Sequence, residues 1–425
     1  MRKRFQTDEL HLRGSQLTES TTLPSGIRVI TDYVPHVRSV ALGVWLDCGS
    51  REDAIPGTAH ALEHILFRRS RRYSGIVRSR VVESLGAYLN ASTAKELTCY
   101  YVRGLAEHFD RLADVLLELV FAPAYTSADV AKERQIIVEE IRSYEDDPEE
   151  VVSDRLDELL FGAHSLARPI AGTLDSVERI TPDVLEQFHR SNYVGAHTVV
   201  IVSGAIPHEH VVETVARLAD RWQIRAQPEK RRMRRLPRQR PPGRLKIECA
   251  FQQTHCAYGI RTEGARSAER HALAILNILF GDSSSSRLYR RVRERQALAY
   301  VVYSSLQLWS DCGELNIYAG IRSHRIERAI SAIEQEIKSL ATVPPTQEEF
   351  CRARQQLLAS LVMSMESLSA RMHAIAHMVL VEHELQPLDA IVQVIKETSL
   401  EQVHAIARQL SDPAQWSCVL AVEKD

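Results

Sequence analysis

Two hydrophobic patterns alternate along the chain. Short, continuous apolar runs such as TVVIVS at 198–203 are typical of buried β-strands. Longer segments with apolar residues every three or four positions predict amphipathic helices, most clearly at 106–120, 207–222 and 327–340. Because both patterns recur in each half of the chain, the sequence predicts an α+β fold in which helices pack against sheets.

The two halves of the chain repeat one pattern. In each half a strand-like run leads into a charged turn that contains glycine, VALGVWLDCGSRE at 40–52 and HCAYGIRTEGARS at 255–267. A helix-like segment follows in the same frame, HALEHILF at 60–67 and LAILNILF at 273–280. We therefore predict two homologous domains that arose by duplication.

Residues 225–246 differ from the rest of the chain in composition. They read RAQPEKRRMRRLPRQRPPGRLK, which is rich in Arg, Lys and Pro and almost lacks apolar side chains. A proline-broken basic stretch without interleaved aromatic residues is more typical of a solvated linker than of a surface that binds nucleic acid or an acidic membrane. We predict an N-terminal domain at 1–224, a linker at 225–246 and a C-terminal domain at 247–425.

Composition narrows the class of protein. The 425 residues are 44% hydrophobic and 25% charged, enough for two or three well-packed domains. A formal charge of -2 gives no basic field that would attract nucleic acid. No apolar stretch suits a membrane span or a secretory signal. We therefore expect neither nucleic acid nor a membrane as a partner. Seven scattered cysteines without a C-x-x-C pair indicate reduced thiols and predict a cytoplasmic protein.

The segment HALEH at 60–64 carries the clearest chemical signal. On a helix His60 and His64 are four residues apart and face one way, with Glu63 beside them. His-x-x-Glu-His is the inverted form of a common metalloprotease motif, in which the two histidines hold zinc. The corresponding positions of the second half carry no such ligands: Leu273, Leu276 and Asn277. We therefore expect the chemistry in the first half alone.

A catalytic zinc usually takes a third protein ligand and leaves one position for water. The segment 127–146 predicts a helix, capped by Thr126 or Ser127, that carries three candidate glutamates: Glu133, Glu139 and Glu140. Glu133 and Glu140 are seven residues apart, so they lie two turns apart on one helix face and can serve the same site. The spacing leaves the choice of ligand open.

Several segments match one known family. Glu140 follows the His-x-x-Glu-His motif by 76 positions, inside ERQIIVEEI at 133–141. Further matches are LGAYLNAST at 85–93 with Thr98-x-Tyr100, SSRL at 285–288 and RERQALAY at 293–300. From about residue 24 to its last residue, the sequence thus resembles the pitrilysin/insulinase family of zinc peptidases, to which mitochondrial processing peptidase also belongs.

The resemblance implies roles for the first-half residues. His60, His64 and Glu140 would bind one zinc ion per chain, and Glu133 would support the site from outside the ligand set. Zinc lowers the pKa of a bound water from about 15.7 toward 7. Glu63 would act as the general base that takes a proton from this water.

The resemblance also implies contacts to a peptide substrate. The strand-like segment 88–93 would pair with the peptide backbone, with Asn90 and Ala91 near the bond that is cut. Arg293 and Tyr300, in the zinc-free domain, would contact the peptide as well. FRRS at 67–70 departs from the Phe-Lys-Gly-Thr that the family often has, which leaves substrate preference open.

The expected function is that of a zinc metalloendopeptidase acting on short or unfolded peptides or on a precursor peptide. The same resemblance implies that each domain is a mostly antiparallel sheet packed with helices, and that the chain forms half of a clamshell chamber completed by a second copy. Because one chain carries both the zinc motif and the Arg293/Tyr300 pair, a homodimer suffices, although a heterodimer with an inactive homologue stays open. The alternative function is a catalytically silent or regulatory subunit that binds peptides or scaffolds a heteromeric complex.

Overall fold

The part of the chain that the structure describes contains two β-sheets. The computed structural model describes residues 7–11, 17–226 and 234–424. They divide into two compact units. The first unit draws on the described residues of 1–141, 169–233 and 364–387, and the second on those of 142–168, 234–363 and 388–425.

The first unit contains a seven-stranded sheet, counted over the described residues. Its strands are β1 Thr7–His11, β2 Leu17–Thr22, β3 Arg28–Tyr33, β4 Ser39–Leu46, β5 Tyr88–Thr93, β6 Thr98–Leu105 and β7 Thr198–Gly204. Their order across the sheet is β1-β2-β3-β7-β4-β6-β5. All neighbouring strands are antiparallel except β3 and β7, which are parallel.

The described residues of the N-terminal half form eight α-helices. These helices are α1 Thr58–Arg68, α2 Gly75–Ser84, α3 Phe109–Phe121, α4 Ser127–Glu145, α5 Pro148–Phe161, α6 Leu174–Glu178, α7 Pro182–Asn192 and α8 His208–Arg221. Apolar residues of α1, α3 and α8 pack on one face of the sheet. This packing follows the predicted amphipathic stripes, because each helix turns its apolar side toward the sheet.

The second unit contains a five-stranded sheet, again counted over the described part of the chain. Its strands are β8 Arg244–Cys249, β9 Thr254–Thr262, β10 Ala299–Leu308, β11 Gly313–Ile321 and β12 Ser417–Glu423. Their order is β10-β11-β9-β12-β8, and the pair β12 and β8 is parallel while the other pairs are antiparallel.

The C-terminal half adds six α-helices within the described residues. They are α9 Arg270–Phe280, α10 Ile326–Thr342, α11 Gln347–Ser364, α12 Leu368–His377, α13 Leu388–Glu397 and α14 Leu400–Gln409. Two segments are π-helical, Tyr289–Arg295 and Met378–Glu382. Short 3-10 turns lie in both halves, at Ser50–Glu52, Ala106–His108, Ser165–Ala167, Gly195–His197, Ser323–Arg325 and Pro413–Gln415.

No helix in the described ranges is both long and apolar enough to cross a membrane.

The two sheets share one topology. The order β3-β7-β4-β6-β5 in the first unit has the same form as β8-β12-β9-β11-β10 in the second. Within these five strands, the one that comes first in the chain is parallel to the one that comes last, β3 to β7 and β8 to β12, and α1 and α9 follow equivalent strands. The predicted α+β fold with two domains is confirmed, and the shared strand order supports the predicted duplication.

Each unit includes one helix from the other half of the chain. Helix α5 packs on β9 and β12, whereas α12 packs on β4 and β7. Strands β4 and β7 are buried along almost their whole length, so the first sheet needs cover on both faces. Helix α12 provides that second cover.

The units therefore differ from the predicted domain bounds of 1–224, 225–246 and 247–425. Residues 142–168 belong to the second unit and residues 364–387 to the first. Of the predicted linker, residues 227–233 lie outside the described residues. Its last three residues, 244–246, already belong to strand β8, because they pair with β12.

Candidate metal centre and active site

Helix α1 carries the His-x-x-Glu-His motif on its half-buried side. The opposite side is apolar and packs into the core, which fixes the rotation of the helix. Its first turn is held by Asp53, whose carboxylate accepts hydrogen bonds from the amides of Gly57 and Ala59, both at 2.9 Å. His60, Glu63 and His64 are thereby presented together.

Helix α4 brings a third ligand candidate to the two histidines. The Glu140 carboxylate lies 3.7 Å from Nε2 of His60 and 3.5 Å from Nε2 of His64. One donor atom from each of the three residues lies within 4.8 Å of the others. Glu139, the neighbouring candidate, is exposed and is not part of this group.

The donor set suits zinc. Two imidazole nitrogens and one carboxylate oxygen form a common ligand set of catalytic zinc sites. Burial, followed by the neighbouring His64, lowers the pKa of His60 to about 4, so this imidazole is neutral at neutral pH, as a metal ligand must be. Nδ1 of His60 is buried and has no hydrogen-bond partner among the described residues.

Glu133 contacts the ring nitrogen of His64 that does not face Glu140. The carboxylate is buried, one oxygen lies 3.3 Å from Nδ1 of His64, and the other accepts a hydrogen bond from Arg68. A carboxylate at Nδ1 favours a proton on that nitrogen and leaves Nε2 as the ligand atom. The supporting role that the family resemblance implies for Glu133 stays a prediction.

Glu63 is held by a residue that the sequence analysis did not single out. Its Oε2 accepts a hydrogen bond of 2.5 Å from the hydroxyl of Thr93. Burial raises the pKa of the Glu63 carboxyl, and the bond from Thr93 acts in the opposite direction. Thr93 lies within the matched segment 85–93, but no spacing rule relates it to a residue 30 positions earlier.

The second half lacks every donor of this site. Helices α4 and α11 begin with the same cap, in which a threonine amide donates to a carboxylate three residues later at 2.9 Å (Thr126 to Asp129, Thr346 to Glu349). This shared start aligns Glu133 with Ala353 and Glu140 with Ser360. On α9 the motif positions hold Leu273, Leu276 and Asn277. Three carboxylates and two imidazoles are thus replaced.

Both halves of the chain match models of one peptidase family. Residues 28–174 match the model described as insulinase (peptidase family M16), and residues 179–357 match the model described as peptidase M16 inactive domain. The chain belongs to the M16 peptidase family.

Relatives of this M16 chain bear names that mention zinc. An uncharacterized zinc protease of Mycobacterium leprae is 33% identical over 409 residues, which cover 94% of this chain and 91% of that protein. An uncharacterized zinc protease of Streptomyces coelicolor is 34% identical over 405 residues, with 92% and 86% covered. The crystal structure of a peptidase M16 inactive domain from Pseudomonas fluorescens has a TM-score of 0.89 at 19% identity, covering 96% of this chain and 98% of that one, which shows a shared fold.

In the M16 chain, the predicted substrate strand is at the edge of the first sheet. Strand β5 pairs with β6, and among the described residues no strand lies on its other side. The side-chain amide nitrogen of Asn90 donates to the Tyr88 hydroxyl, and its side-chain oxygen accepts from the backbone amide of Ala91, both at 2.9 Å. Ala91 packs toward the core, so Asn90 lies on the opposite face of the strand.

Arg293 and Tyr300, the predicted substrate contacts of the second M16 domain, lie close together. The Arg293 guanidinium lies 5.6 Å from the centre of the Tyr300 ring and 5.0 Å from that of Tyr289. Arg293 is on the π-helical segment and Tyr300 on the edge strand β10, where it is 71% exposed. Their role as substrate contacts stays a prediction.

Proposed function

We propose that this M16 chain is a zinc-dependent endopeptidase that hydrolyses short or unfolded peptides or a precursor peptide. The observation that carries the proposal is the donor group of His60, His64 and Glu140 within 4.8 Å, with Glu63 fixed on the same helix between the two histidines. The family and the names of the relatives support a zinc peptidase in general terms.

The proposed mechanism assigns one task to each side chain. When bound, zinc acts as a Lewis acid that activates water and polarises the peptide carbonyl. Glu63 takes the proton from the attacking water and then gives it to the leaving amine. Burial raises the pKa of Glu63 above its ordinary value, which makes its carboxylate a stronger base. Glu133 keeps His64 in the orientation that binding needs.

Peptide binding is proposed to use both halves. An extended peptide would add to the free edge of β5, so that backbone hydrogen bonds hold it near Asn90 and Ala91. Arg293 and Tyr300 would contact it from the second half. The loss of all donors there, and the match to a family model named for an inactive domain, support a binding role for that half.

We also propose that the protein works in the cytoplasm as a homodimer. All seven cysteines are free thiols, which suits a reducing compartment. One chain carries both the zinc motif and the Arg293/Tyr300 pair, so two identical copies would suffice. Light scattering on the purified protein tests the dimer, and a mass of one chain at micromolar concentration would contradict it.

Peptide cleavage tests the main proposal. A mixed library of unstructured peptides is incubated with the zinc-loaded protein and with its Glu63→Gln variant, and products are identified by mass spectrometry. Cleavage by the unchanged protein alone is expected, with zinc content equal in both. Equal cleavage by the variant would remove Glu63 from the mechanism. Peptide binding without cleavage by either protein would instead support the silent binding subunit.

A further inference from the structure

The hydrogen bond from Thr93 joins two elements of the site. Thr93 is the last residue of β5 and shares a strand face with Ala91, which packs against the core beside α1. Its hydroxyl donates to Oε2 of Glu63 on that helix. Within the described chain, Thr93 is the hydrogen-bonding partner of the Glu63 carboxylate, and Oε1 has none.

The position of Thr93 is fixed by the turn that follows it. The amides of Ser50 and Arg51 donate to carbonyls of this turn at 3.1 and 2.7 Å. Arg51 also forms an ion pair of 2.6 Å with Glu96 in the turn, and both side chains are only 3% exposed. The same loop supplies Asp53, which holds the first turn of α1. The loop at 50–53 therefore fixes the positions of both helix α1, which carries Glu63, and the end of strand β5, which carries Thr93.

We propose that Thr93 is a positioning residue for Glu63. With Oε2 engaged by the Thr93 hydroxyl, the Glu63 side chain is held in one rotamer, and Oε1 is left to take the proton from the attacking water. This inference rests on the proposed function, because a fixed carboxylate matters when it exchanges a proton. Since β5 is also the strand on which the peptide would pair, one strand sets the place of both the base and the peptide.

Paired substitutions test this role through kinetics. Thr93→Val removes the hydroxyl at nearly constant shape, and Thr93→Ser keeps it. We expect Thr93→Val to lower kcat about 10- to 100-fold with KM unchanged, and Thr93→Ser to retain most of kcat. Thr198→Val is the matched control, because it removes a buried hydroxyl that donates to the Val194 carbonyl at 2.8 Å in the same unit. Its kcat should equal that of the unchanged protein.

Two further measurements do not depend on turnover. Crystal structures should show the Glu63 carboxylate displaced in Thr93→Val and in place in Thr93→Ser, and chelator competition should give one zinc affinity for all variants. An undisplaced Glu63 or an unchanged kcat in Thr93→Val would overturn the inference, as would a matching loss of zinc affinity, which would assign Thr93 a structural role. If the unchanged protein cleaves no peptide, the proposed function fails, and the position of Glu63 still decides the role of Thr93.

Discussion

At the scale of single residues, the structure distinguishes between glutamates that the sequence offered equally as metal ligands. Glu133, Glu139 and Glu140 are all candidates on one predicted helix. In the structure Glu140 faces both histidines, Glu133 lies behind His64, and Glu139 is exposed. The seven-residue spacing predicted that Glu133 and Glu140 share a face, but which nitrogen of His64 each one approaches depends on where the tertiary structure places α4 beside α1.

The support that Glu133 gives to His64 can be measured as zinc affinity. Glu133→Gln keeps the shape of the side chain but removes the negative charge that favours the proton on Nδ1. We expect zinc to bind about 10- to 100-fold more weakly, by competition with a chelator. Glu139→Gln on the same helix is the control and should bind zinc as the unchanged protein does. Equal affinity in both variants would show that Glu133 does not tune the site.

The ion pair of Arg287 and Glu349 predicts a pH dependence of stability. Burial alone would raise the pKa of Glu349, but bonds from Arg287 and the Thr346 amide outweigh it and hold the pKa at about 2, below the ordinary value of 4.5. A carboxyl with a lowered folded-state pKa stabilises the protein above the unfolded value. Its contribution is lost as the pH falls through the interval between the two values.

Glu349→Gln therefore should destabilise the protein at pH 7, and the difference from the unchanged protein should shrink as the pH falls from about 4.5 to 2. Denaturant unfolding at a series of pH values measures this. Glu348→Gln provides the control, since the side chain of Glu348 is 88% exposed and its pair with Arg352 should contribute little. A difference for Glu349→Gln that does not change with pH would contradict the assignment.

At the scale of elements, one helix closes the first sheet from the far end of the sequence. Met372 and Ile375 of α12 are buried against the face of the sheet opposite to α1. Arg371 of this helix forms a bidentate ion pair with Asp32 of β3, and the two side chains are 8% and 2% exposed. No local pattern in the sequence assigned this segment to the first sheet.

Arg371→Met should show how firmly α12 is attached. The variant leaves Asp32 buried without its cation, and such a loss destabilises a protein by about 3–5 kcal/mol. The free energy of unfolding measured in urea gives the value, and a second substitution, Asp32→Asn, should recover part of it. Arg155→Met is the control, because its pair with Glu158 is half exposed and should contribute less than about 1 kcal/mol. Similar losses for both arginines would contradict the assignment.

At the scale of the whole molecule, the exchange of α5 and α12 makes the halves of the chain interdependent. Each compact unit contains a sheet from one half and a covering helix from the other. A division of the sequence at the linker would therefore leave an apolar sheet face uncovered in each half. Two domains are present, yet neither is a continuous segment.

We accordingly expect the fragment 1–226 to fail to fold alone. Without α12 it would expose the apolar face of β4 and β7, so it should aggregate or unfold without a sharp transition. Expressed together with the fragment 234–425, it should become soluble and unfold cooperatively, as followed by circular dichroism. A cooperative transition of the fragment 1–226 on its own would show that α12 is not needed for the first unit.

The sequence by itself determined the features that depend on local spacing. Helix and strand periods gave elements close to those observed, such as α8 at His208–Arg221 for the predicted 207–222. The interval of four between His60 and His64 sufficed to predict two ligands on one face, since a helix repeats every 3.6 residues. Only the tertiary structure decided which glutamate faces the two histidines and that Thr93 holds Glu63. It also decided that α5 and α12 each cover the sheet formed by the other half of the chain. These contacts join segments that are far apart in the sequence, and such contacts produce no periodic pattern from which they could be predicted.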